Sequence, residues 1–398
     1  MDVDFEALLE EAAFLWFQRN HAVNSPGYTL HTLTQIDMRL TGLFRLLGSC
    51  DEFIPRVNQG FDPEFPDESL CLALAAVPWL EAEMANWMIE ALEKEADLEA
   101  LIDVLAWAEF DEVEEVVNAL WASNNPDHKF IAMAAWRVHR QQPQINFLQA
   151  AQYGERVISE LLRLIGEMGL VVHQNMAARY LKSESAEIRY WAAYACLLLG
   201  EPEESSDVIR DCIDQKPSCS YQPLQVCVPY LDSETVTPWV NTFSRDDKKL
   251  NVVLKTFEVL GVKRFIPWLV GSVKTPDLAA DAALAFCTMT GMDLDHEEFG
   301  DLTVLFSDPS MVGSDEVKQA VSDLVPDWFE SWWMENEDFS VDNVRYLLGR
   351  PTHNIEHLED IVEDGNQVQR QRAAYEIALT DPRKALFDHQ APGFRQCL

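Results

Sequence analysis

The stretch Ser185-AEIRYWAAYACLLLG is echoed ninety positions later by Thr275-PDLAADAALAFCTMT. In both, small and apolar residues fall at helical spacing. Ile188, Ala192, Ala193 and Ala195 mark one face in the first, and Leu278, Ala282, Ala283 and Ala285 match them in the second. A third copy begins at Asp127-HKFIAMAAWRV, with Phe130, Ala134 and Ala135 in the same places, and Arg372-AAYEIAL is a fourth. Asp247-KKLNVVLKTFEVLG is weaker, because Leu254 and Lys255 replace the alanine pair. Paired alanines let neighbouring helices approach closely, since side-chain size at the contact sets the distance between axes. Pro126, Pro202, Pro267 and Pro276 stand at helix starts or turns, where a missing N–H is tolerated.

Ninety is twice the ~45-residue period of a HEAT repeat. The pattern therefore predicts an all-α chain: a HEAT-like α-solenoid, built as a right-handed superhelix of helical hairpins with a cap at each end. Residues 1–60 read as an N-terminal helical cap and 61–300 as the repeats; 301–398 read as an acidic, Trp-rich segment and a C-terminal helical cap. Within the first cap, Asp4 to Arg19 carries a broad apolar stripe, Asn24-Ser-Pro-Gly breaks the chain, and Thr32 to Leu47 forms a second helix. Gly48 to Pro66 reads as irregular. Alternating β-type runs are scarce, and the best one, Thr235 to Phe243, is interrupted by Pro238. A chain of 398 residues exceeds the usual single core, so it must divide into domains or stack small units.

Charge narrows the partners. Thirty basic residues against 67 acidic ones leave a net charge of -37. Such a field repels phosphate backbones and anionic lipid, so no nucleic-acid and no membrane partner is expected; it attracts a basic protein. The longest apolar run, Leu70 to Leu80, contains Pro78 and is too short to span a bilayer. The acidic start MDVDFEALLEEAAFLWF lacks the basic region and cleavage site of a signal peptide, so a cytoplasmic location is expected. The eight cysteines show no C-x-x-C pair, and Cys212, Cys219 and Cys227 fit no standard zinc spacing. They read as reduced, mostly core residues.

No phosphate-binding glycine loop, G-x-S-x-G elbow or H-E-x-x-H motif occurs. His296 is followed by Glu297 and Glu298, but Gly300 stands where a second histidine would be. His353 and His357, four apart, could face one way on a helix as a metal pair, yet no third ligand is implied. The carboxylates of Glu93 to Asp97 and Asp111 to Glu115 spread over outward faces, as solvated helices require. No cofactor, metal or catalytic residue is predicted. The segment Asp327-WFESWWMENED places Trp328 and Trp332 four apart, and Phe329 and Trp333 likewise. These rings either close the end of the core, which is the favoured reading, or form a docking patch of Trp328, Trp332 and Trp333. Stacking on single-stranded nucleic acid would need interleaved basic residues, and the neighbours are Glu330, Glu335, Glu337 and Asp338.

Three blocks carry a resemblance: Glu10-EAAFLWFQRN with Tyr28-TLHTLTQIDMRLTGLFRLLG, Ala285-FCTMTGMDL, and Gly349-RPTHNIEHLEDIVEDGNQVQRQRAAYEIAL with Ala391-PGFRQ. Together they resemble an uncharacterised bacterial family of HEAT-like repeat proteins often encoded beside type VI secretion genes. The likeness runs from end to end and is strongest in the terminal blocks, while the middle is more divergent and more acidic. It brings no catalytic motif. What it implies is a setting: an adaptor, chaperone or scaffold for an effector, toxin or other secretion component. An immunity protein that neutralises a cationic toxin is the alternative. A HEAT-like DNA-modifying enzyme is a third reading, which the acidic charge opposes.

Overall fold

The computed structural model describes residues 4–77, 81–215, 221–292, 314–336 and 343–396. Among these residues the chain is all-α, with twenty-two α-helices and one antiparallel pair of two-residue strands, Tyr346–Leu347 and Arg350–Pro351. It divides into two compact units. The first comprises residues 1–24, 30–195 and 388–398, and the second residues 25–29 and 196–387.

The first unit begins with α1 (Phe5–Ala22), α2 (Leu30–Gly48), α3 (Phe53–Val57) and α4 (Pro66–Ala76). It continues through α5 (Glu81–Glu93), α6 (Leu98–Trp107), α7 (Phe110–Ala122) and α8 (Pro126–Val138). Then follow α9 (Phe147–Ala150), α10 (Glu155–Glu167) and α11 (Gln174–Arg179). The helix α12 (Ala186–Leu198) carries the chain across the division. The second unit holds α13 (Glu203–Gln215), α14 (Tyr221–Cys227), α15 (Ser233–Phe243), α16 (Leu250–Leu260), α17 (Ile266–Ser272) and α18 (Pro276–Thr290). It ends with α19 (Asp315–Leu324), α20 (Pro326–Glu335), α21 (Ile355–Asp364) and α22 (Gln367–Thr380).

The repeated alanines are core. Ala134, Ala135, Ala192, Ala193, Ala282, Ala283 and Ala373 are fully buried, and Ala374 nearly so. Each of three copies lies against helices close in the chain: α8 on α7 and α10, α18 on α16 and α17, α22 on α21. Their starts are capped as the sequence suggests. The Asn125 side chain accepts from the Asp127 N–H ahead of Pro126, and Asn366 and Gln369 form a reciprocal capping box. Removing such a cap costs about 1 kcal/mol.

Two local readings change. The irregular stretch Gly48 to Pro66 contains the short helix α3. The run around Pro238 is not a strand but α15, with the proline inside the helix. Val236, Trp239, Val240 and Phe243 recur at spacings of three and four, and all are buried. Asp232 caps the start by accepting from the Thr235 N–H at 2.7 Å. Burying four large side chains, at about 1.5–3 kcal/mol each, outweighs the ~3 kcal/mol cost of an interior proline.

In the second unit a segment around the strand pair docks on the C-terminal ends of α16 and α18. The Tyr346 N–H donates to the Gly261 carbonyl at 2.8 Å, and the Leu348 and Gly349 N–H groups donate to Thr288 and Met289 carbonyls at 2.7 and 2.9 Å. Gly261 ends α16 in the left-handed region, at φ 63°. A Cβ there would fall 2.4 Å from the Tyr346 carbonyl oxygen. Gly261→Ala is therefore expected to destabilise the protein by about 1–2 kcal/mol. Gly271→Ala, inside α17 with no atom within 4 Å of the added carbon, should be neutral or stabilising by up to ~1 kcal/mol. Thermal melts of the two variants check the contrast.

Candidate functional site

The aromatic segment is the helix α20, started by Pro326 in its first turn. Its residues divide by depth. Phe329 is fully buried and stacks on Phe286 of α18, with ring centres 4.1 Å apart and planes 19° apart. Trp332 meets the same Phe286 edge-on at 5.4 Å. Trp328, Trp332 and Trp333 remain half-buried, and the Lys263 ammonium lies 5.9 Å from the Trp333 ring. Lys274 pairs with Glu330, Met334 is exposed, and Asp327 and Glu335 face solvent. The rings thus serve partly to close the core, through Phe329, and partly to line its edge. Glu337 and Asp338 lie outside the described residues.

The other singled-out residues have local roles. His357 is buried, and its Nε2 lies 2.9 Å from the Leu347 carbonyl oxygen. His353 is exposed in the turn before α21, which Asn354 caps, so the two imidazoles do not share a helix face. Cys227 is buried; burial pushes its thiol up to about 12, so it stays protonated. Cys219 and His296 lie outside the described residues. Among the described residues no group of three His, Cys, Asp or Glu side chains is arranged to hold a metal. None of their helices is long and apolar enough to cross a membrane.

The sequence did not point to two features of the first unit. One is a largely apolar pocket of about 550 Å³. Thr34, Met38, Thr41, Gly42 and Arg45, all on one face of α2, line one wall, and Trp107 and Phe394 line another. Trp107 is a hub: Trp16, Phe44 and Phe394 each meet it edge-on at 5.6 Å, and the Arg19 guanidinium lies 5.4 Å from its ring. A glycine mid-helix, between Met38 and Arg45, was the available signal. Gly at such a position costs up to ~1 kcal/mol relative to Ala and needs a reason.

The second feature is buried charge. Arg137 of α8, 5% exposed, donates to Glu160 at 2.5 Å and to Glu167 at 3.2 Å; both carboxylates belong to α10. Glu167 also accepts from Arg140 at 3.2 Å and Arg163 at 2.8 Å. Burial alone would raise the Glu167 pKa, but the three guanidiniums outweigh it and hold the carboxyl well below the usual range. Near the chain's end, Asp37 takes Arg19 Nε on one oxygen and the Gly393 N–H on the other, each at 2.8 Å. Arg395 donates to the Ala106 and Val138 carbonyls. In the second unit, Arg345 and Arg372 share the Glu376 carboxylate, and Tyr221 donates to Glu258 at 2.5 Å. Burial raises the Glu258 pKa against the opposing Tyr221 hydrogen bond and Arg372 charge.

The fold defines an all-α protein whose helices pack largely against close neighbours in the chain, stiffened by interior ion pairs. No protein-family model matches the chain, and no curated protein or solved structure is significantly similar to it.

Proposed function

We propose that this chain is a non-catalytic, HEAT-like helical scaffold that docks a basic protein partner through the tryptophan-bearing helix α20. The observation that carries the reading is the division of that helix. Phe329 is locked against Phe286 in the core, while Trp328, Trp332 and Trp333 stay half-exposed beside Asp327, Glu330 and Glu335. A rigidly anchored aromatic patch loses little entropy on binding, and tryptophan is the residue most enriched among interface hot spots. The acidic surroundings and the net charge of -37 favour a cationic partner and speed its approach. Stacking of the alanine-paired helices into a right-handed superhelix, with caps over 1–60 and 301–398, belongs to the same reading. The cellular setting that accompanies it is cytoplasmic loading or delivery of a type VI secretion effector.

Pull-down from the native host, run with the wild-type chain and with Trp328→Ala/Trp333→Ala, tests this. A secretion component or effector should be recovered by the wild type and weakened about thirtyfold or more in the double variant. The variant's melting should be nearly unchanged, because Phe329 keeps the anchor. Recovery of general chaperones alone would overturn the scaffold reading, and equal recovery by both chains would remove α20 as the site. Rescue of cells from a co-expressed neighbouring toxin would instead identify an immunity protein.

A further inference from the structure

One residue in six of this chain is acidic, 67 of 398, and one stretch departs from that density. From His128 to Ser183, 56 residues, there are three acids: Glu155, Glu160 and Glu167. Glu160 and Glu167 are buried against Arg137, Arg140 and Arg163. Glu155 alone brings a carboxylate of this stretch to the surface. All of it belongs to the first unit and lies within the described residues.

What the stretch exposes instead is amide and hydrocarbon. Gln141, Gln142, Gln144, Asn146, Gln149 and Gln152 are all exposed. With them stand two large apolar side chains: Leu148 on α9, 65% exposed, and Val172 in the turn before α11, 80% exposed. Their neighbours in the chain join the two segments, for the Phe147 and His173 rings stack with centres 4.2 Å apart and planes 24° apart. Asn146 orders the start of α9 by accepting from the Leu148 and Gln149 N–H groups at 3.0 and 3.2 Å. Both apolar groups therefore sit on fixed backbone.

Depletion of charge, more than hydrophobicity as such, marks the centre of a protein–protein interface. At a net charge of -37 it also selects the partner. Two copies of such a chain repel one another, and they do so least where neither presents carboxylates. Each primary amide carries both donors and an acceptor, so an amide surface is complementary to itself. That is what a twofold contact requires, since the same patch serves both copies. An acidic partner finds less there: Arg156 is paired with Asp127, and exposed Arg179 and Lys182 are followed at once by exposed Glu184 and Glu187. The face is near neutral rather than basic. We propose that this chain forms a twofold dimer through the acid-poor face of α9 and the turn before α11, with Leu148 and Val172 of each copy buried at its centre.

Sedimentation equilibrium of the full chain in reducing buffer, at about 0.1 and 0.5 M sodium chloride, tests this. A monomer–dimer equilibrium is expected with a Kd below about 100 μM. It should tighten about threefold or more at the higher salt, because the two net charges are screened while the contact itself holds few ions. Leu148→Glu/Val172→Glu puts two carboxylates from each copy into the contact and should weaken the dimer about tenfold or more. Both side chains are mostly exposed, so the variant's melting should be nearly unchanged. Phe14→Glu/Met38→Glu adds the same charge at residues 65% and 70% exposed elsewhere in the first unit. It should leave the Kd within about twofold of wild type. A monomer under every condition overturns the proposal. So does a dimer that Leu148→Glu/Val172→Glu leaves intact, or one that salt dissociates, since ion pairs would then hold it. Growth beyond the dimer overturns the twofold contact as well.

Discussion

Glu167→Gln is expected to lower the stability of the protein by about 3–5 kcal/mol, read as a shift in the urea midpoint. The carboxylate is almost fully enclosed and is shared by Arg137, Arg140 and Arg163. An amide of the same shape keeps the volume but removes the charge that three guanidiniums were placed to meet. Glu160→Gln should cost less, because Glu160 pairs with Arg137 alone and Glu167 still serves that arginine. The same carboxylate gives an acid limb. Its folded pKa lies below its unfolded value of about 4.3, so its contribution is full above that value. It is lost as pH falls further toward the folded pKa. Glu167→Gln should therefore flatten the dependence of stability on pH below about 4.3.

Trp107→Ala carries an expected loss of about 3–5 kcal/mol. The indole is 7% exposed and joins three rings and one guanidinium from three parts of the first unit, α1, α2 and the C-terminal segment. Its removal opens a cavity that Trp16, Phe44 and Phe394 cannot all move to fill. Limited proteolysis should then cut near Phe394, whose ring loses its contact with the indole. Met38→Ala, at a side chain 70% exposed on the neighbouring pocket wall, should leave both stability and cleavage unchanged.

These contrasts also explain what the sequence could show. The alanine pairs are legible because small residues at helical spacing have a meaning within a dozen positions, and they are buried where that spacing places them. Glu93, Asp97, Asp111 and Glu115 are exposed, as a solvated-face reading has it. Glu160 and Glu167 look no different in composition, yet both are buried. What separates them is a set of arginines on α8 and α10 brought close by packing, and no local pattern encodes that encounter. Pro238 misleads for a related reason: its local signal is a break, and the burial that overrides it lies at i, i+3 and i+4. Trp328, Trp332 and Trp333 were legible as an aromatic cluster, but their division between core and edge depends on where Phe286 sits.

The first unit is assembled from residues far apart in the chain: residues 30–195 and 388–398 belong to it, while 196–387 belong to the second. On a translating ribosome, that order becomes a delay. The Asp37 carboxylate waits for the Gly393 N–H, and the Ala106 and Val138 carbonyls wait for Arg395. None of these bonds can form until nearly the whole second unit has been made. A nascent chain paused midway thus exposes an unfinished surface around Trp107, a natural target for holding chaperones. A premature stop anywhere in the second unit would damage the first as well.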